Sequence, residues 1–167
     1  MTASGIGYVA AVVVAAVFAM AAAAKLRDLR QTSVDFERLG VPNPEVLARL
    51  VPLAELAITT LLLIVPAGGA IAALVTLAFF TTFLVGRLRS GITAPCACFG
   101  ASAKAPLSGI EITRNGGLMV LAALALAAER PVRPTVGDVV VVVVPTLIGA
   151  GVLHLLRMRR GPASISR

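Results

Sequence analysis

The chain contains two cysteines, and both lie in the run Pro95-Cys96-Ala97-Cys98-Phe99-Gly100. A lone buried cysteine is often no more than a small hydrophobe, but two thiols one residue apart in a Pro- and Gly-bounded stretch invite chemistry. Structural zinc needs four ligands, and the only histidine is His154, so no zinc site is expected. Two thiolates suit Cu(I), which favours soft ligands, and the pair could also be a structural clasp. A reversible dithiol–disulfide couple uses both the residue type and the spacing. Closing so short a loop strains the S–S bond, and strained, exposed disulfides are the oxidising, exchangeable ones.

Glu55 is the second informative residue. It follows Pro52 about one turn inside an apolar run, where an ionisable group costs a few kcal/mol unless it faces a partner or water. Lys25 closes the preceding apolar run on the same membrane face and is the expected partner. Glu55 can alternatively cap its helix and favour the dipole, or handle protons. Arg114 can snorkel to headgroups, or sit near a thiol and favour the thiolate. Asn115, just inside the membrane boundary, needs a hydrogen-bond partner on a neighbouring helix. His154 reads as interfacial, and Phe79 with Phe83 as packing or lipid contacts rather than a quinone-stacking site.

The elements that must position these groups follow from composition. Of 167 residues, 58% are hydrophobic and 14% charged, against about 45–50% and about 25% in a soluble domain. Those figures exclude a soluble globule, a disordered chain and a disulfide-rich scaffold. The net charge of +7 comes with no Trp and one Tyr, so no stacking platform exists for bases and no nucleic acid is expected. The basic residues cluster at the ends of apolar runs, as topology signals and contacts for membrane lipid.

A bilayer-spanning helix needs about 20 apolar residues. The first span is read over 6–24, with no Lys or Arg before it, so it is kept as a mature span and not a signal peptide. Residues 56–86 carry no charge; Pro66-Ala67-Gly68-Gly69 divides them as a turn would, giving spans over 47–65 and 70–85. A fourth runs over 110–128, opened by Ser108 and Glu111 at capping-box spacing. Together these form a four-span core over 1–129. Residues 130–167 hold a linker, a fifth span over 139–156 and a basic tail. The fold class is all-α, a polytopic membrane helical bundle. By loop charge, one face carries 13 Lys and Arg and the other 2. This predicts the N-terminus outside, the C-terminus in the cytoplasm and residence in the cell membrane.

Lys25-Leu26, the stretch 52–56 with Glu55, the Cys96-Ala97-Cys98-Phe99-Gly100 motif and Arg114-Asn115 together resemble the methylamine utilisation protein MauE family. That family is part of a broader DoxX-like group of small bacterial redox-associated membrane proteins. The resemblance covers roughly 6–128, a four-span unit, and the cysteine motif is its specific part. The family usually has Gly between the cysteines where this chain has Ala97, a change that leaves both sulfurs in place.

The resemblance implies maturation of the small, disulfide-rich subunit of methylamine dehydrogenase, or of a similar disulfide-containing client, alongside a thioredoxin-like redox protein. Cys96 and Cys98 would be catalytic, with Lys25, Glu55, Arg114 and Asn115 in support and no metal or cofactor. Such maturation happens outside the cytoplasm, whereas charge places the cysteines at the cytoplasmic face. A re-entrant loop, electrons drawn from the cytoplasm, or an inverted topology would each reconcile the two. The leading reading is a thiol–disulfide carrier, with a non-catalytic assembly scaffold and a quinone-coupled oxidoreductase as alternatives.

Overall fold

The structure, a computed structural model, describes residues 3–91 and 108–127. Cys96, Cys98, His154, the expected fifth span and the basic tail lie outside the described residues. About 91% of the described residues are helical and none is in a strand. The described residues form five helices: α1 (Ala3–Arg27), α2 (Leu29–Arg38), α3 (Pro44–Ile64), α4 (Pro66–Arg89) and α5 (Gly109–Ala127). All but α2 are long and apolar enough to cross a membrane, so the chain is a multi-pass membrane protein.

The four spans close a ring in the order α1–α3–α4–α5, each packed on its neighbours in the ring. Because successive spans run up and down, every neighbouring pair is antiparallel. One end of the bundle gathers the C-termini of α1 and α4 and the N-termini of α3 and α5. The interior is rich in alanine: Ala10, Ala11, Ala15, Ala70, Ala73, Ala122 and Ala125 are buried between the helices. Lipid tails are as apolar as leucine, so small residues that let backbones approach closely drive this association. Large side chains such as Met20, Ile64, Val75 and Val120 point outward.

Residues 25–49, expected to form a loop, contain α2. Asp28 leaves the helical region at φ −146° and its side chain accepts the Gln31 N–H, capping a new helix. The helix buries Thr32, Asp35 and Phe36 on one face. It ends in a Schellman motif: Gly40 N–H donates to the Glu37 carbonyl, and Val41 N–H to that of Phe36. Gly40 takes φ +69° at the position where a left-handed residue is required.

The break between the second and third spans is shorter than the Pro66–Gly69 stretch predicted. Val65 alone separates α3 from α4, and Pro66 is the first residue of α4. Proline's fixed φ suits that position, where its missing N–H would have no partner in any case. Gly69 is required by close packing rather than by a turn. A Cβ there would collide with the Leu62 backbone nitrogen. At α5 the capping box forms as its spacing predicts, with the Glu111 carboxylate accepting from Ser108 N–H and Oγ, each at 2.9 Å.

Candidate functional site

Lys25 lies in the last turn of α1, and Glu55 about three turns inside α3 rather than one. At that depth the carboxylate cannot cap the helix. Lys25 Nζ donates to Glu55 Oε1 at 2.7 Å, with 2% and 6% of the two residues exposed. Both charges leave water only because each has the other, and removing one partner of such a pair costs about 3–5 kcal/mol. The surrounding backbone is tied down as well. Thr32 Oγ1 of α2 donates to the Asp28 carbonyl at 2.9 Å and lies 3.3 Å from that of Lys25, and Thr59 Oγ1 donates to the Glu55 carbonyl at 2.9 Å.

Asn115, 3% exposed, faces the pair from α5. Its Nδ2 donates to Thr81 Oγ1 of α4 at 3.2 Å, and Thr81 Oγ1 donates to the Leu77 carbonyl at 2.7 Å. That order fixes the amide: the threonine proton is committed to the backbone, so Thr81 accepts and Asn115 presents its oxygen elsewhere. Arg114, half-buried one residue earlier, is close enough to Lys25 to act on it electrostatically.

Glu55 Oε2 and Asn115 Oδ1 are buried and have no hydrogen-bond partner among the described residues. Both residues line a cavity of about 20 Å³, walled by Phe18, Phe80 and Leu84, with room for one water. Two acceptors beside a fixed ammonium can hold a small hydrogen-bond donor and pass a proton to or from Glu55. Among the described residues no three His, Cys, Asp or Glu side chains cluster as metal ligands.

The structure therefore brings Lys25, Glu55, Arg114 and Asn115 into one polar layer within the bundle. Cys96 and Cys98 fall in the segment joining α4 to α5, whose two attachment points are at the end nearest this layer. Thr81, Thr76 and Phe80 belong to the same layer and were not anticipated. A threonine in the middle of an uncharged run is the signal that could have found Thr81. Phe79 faces outward at 71% exposure, and Phe83 lies under the Arg87 guanidinium at 5.0 Å.

The family model described as "Methylamine utilisation protein MauE" matches residues 3–128. No curated protein and no solved structure matches the chain.

Proposed function

The chain belongs to the MauE family of methylamine utilisation membrane proteins, and from that premise we propose that it is a thiol–disulfide carrier serving the maturation of a disulfide-containing client. The observation that supports this reading is the pairing of its only two cysteines, one residue apart, in the α4–α5 connection. A thiolate of Cys96 or Cys98 attacks one sulfur of a thioredoxin-like partner's disulfide and expels the other as a thiolate. The second cysteine then attacks the mixed disulfide. The partner leaves as a dithiol and the carrier holds the Cys96–Cys98 disulfide; reversing each step carries the electron pair the other way. The Lys25–Glu55 pair pins the bundle from which the connection departs.

The test is covalent trapping. Cys96→Ser and Cys98→Ser proteins should insert normally, lose client maturation, and accumulate a dithiothreitol-reversible adduct with a thioredoxin-like protein. The variant that traps retains the attacking cysteine. Full client maturation by the double Cys→Ser protein would discard the redox reading and leave the assembly-scaffold role.

A further inference from the structure

Between α2, α3 and α4 lies a groove of about 340 Å³ with a wholly apolar lining, in which Phe36 and Val41, Leu47 and Val51, and Phe79 and Phe83 face one another. Its volume is in the range of small-molecule sites. The Schellman motif that ends α2 holds its Phe36–Val41 wall in place. The strongly exposed Phe79 opens it to the bilayer side.

Phe79 and Phe83 also border a second, more open hollow of about 400 Å³ that continues to Thr82, Gly86, Arg87 and Ser90. The two hydroxyls there donate to backbone, Thr82 to the Ala78 carbonyl and Ser90 to that of Gly86. Arg87 is therefore the side chain that supplies donors. Its Nη2 donates to the Gly40 carbonyl at 2.7 Å, and the guanidinium stacks over Phe83. The guanidinium is thus held between Gly40 and Phe83, at the hollow that Arg87 helps to line. Arg89 adds a second positive charge in the same last turn of α4. Arg87 lies eight residues beyond Phe79 on α4, about 12 Å along the axis at 1.5 Å per residue.

We propose that this composite surface is a binding site for an anionic glycerophospholipid. An acyl chain fills the apolar groove beneath α2, and the phosphate pairs with Arg87 at the membrane interface. Charge complementarity selects this occupant. A planar guanidinium matches phosphate oxygens in a bidentate way that an ammonium does not, and the lining below it suits only hydrocarbon. The site stands apart from the redox reading and does not depend on it.

Native mass spectrometry of the full chain tests this, using mixed micelles that contain phosphatidylglycerol and phosphatidylcholine with identical acyl chains. The wild-type protein should retain one phosphatidylglycerol with about fivefold preference, the scale of one basic residue at an anionic surface. Arg87→Gln should bring the preference close to parity, and Arg87→Lys should leave an intermediate value. Val51→Trp, which fills the groove, should reduce retention of both lipids, and inorganic phosphate should not compete. Equal retention of both lipids by the wild-type chain overturns the proposal, as does unaltered retention by Val51→Trp. Absence of any adduct, because the groove is covered by residues 128–167 or by a second copy, overturns it too. None of these readouts involves the cysteines.

Discussion

The ammonium of Lys25 and the carboxylate of Glu55, 30 residues apart in sequence, meet at 2.7 Å in the interior of a membrane bundle. This contact joins α1 to α3 at the level where α2 begins to cover the bundle. Glu55→Gln should destabilise the protein by about 3–5 kcal/mol, since Lys25 is left charged and buried. Lys25→Met combined with Glu55→Gln should cost less than Glu55→Gln alone, so the two losses are strongly non-additive. Reversible unfolding in mixed micelles measures each corner of the cycle. Strictly additive losses would show that the two side chains do not stabilise one another.

Two glycines of α4 should respond in opposite directions to the same substitution. Gly69→Ala places a methyl group against the Leu62 nitrogen and 2.6 Å from the Leu61 carbonyl carbon. Backbone cannot step aside as a side chain can, so the α3–α4 hairpin must open, at a cost of about 1–3 kcal/mol or more. Gly86→Ala meets nothing within 4 Å and should be neutral or stabilising by up to about 1 kcal/mol through helix propensity. Thermal unfolding of the two variants side by side checks the contrast, and similar shifts in both would contradict the packing described.

How much of this arrangement was legible beforehand varies by residue. The first and third spans follow from uncharged runs, whereas the second runs through Arg49 and Glu55 and the fourth through Glu111 and Arg114, its start marked by the capping-box spacing of Ser108 and Glu111. α2 was missed because the stretch after Lys25 is polar on average, and only its Thr32, Asp35, Phe36 periodicity marks a helix. Pro66 and the glycines after it read as breakers, yet whether such residues end one helix or begin the next depends on tertiary packing that a single chain does not display. Lys25 and Glu55 were legible as a pair because an unpaired charge at that depth is costly. Asn115 visibly needed a partner, but that the partner is Thr81 depends on the rotation of α5 against α4, which no spacing specifies.

The Asn115–Thr81 bond gives that rotation a test. Thr81→Val removes the acceptor at 3.2 Å and leaves a buried amide N–H₂ without it, a loss of about 0.6–2 kcal/mol for an interhelical bond in a membrane. Thr81→Ser keeps the hydroxyl and should stay close to wild type. Thr82→Val is the control: Thr82 is exposed and its hydroxyl donates to the Ala78 carbonyl of its own helix, so its effect should stay within about 0.5 kcal/mol. A Thr82 effect as large as that of Thr81 would argue against the α4–α5 register.

Orientation gives the last prediction. With the 139–156 run spanning as expected, the face of the α1–α3 and α4–α5 connections also receives the C-terminal tail and holds 13 Lys and Arg against 2 on the other, and such a bias keeps the basic face in the cytoplasm. A membrane-impermeant maleimide added to intact, reduced cells should therefore leave Cys96 and Cys98 unlabelled, and label them once the membrane is permeabilised. An internal reference sits at the opposite end of the bundle, where Ala67 is exposed in the first turn of α4. In a Cys96→Ser, Cys98→Ser background, Ala67→Cys should be labelled from outside without permeabilisation. The two sites are at opposite ends of α4, so an inverted bundle exchanges their behaviour. Labelling of Cys96 and Cys98 from outside, with Ala67→Cys protected, would place the cysteine pair on the side where secreted disulfides form. Labelling of both sites from outside would require the α4–α5 connection to reach across the membrane.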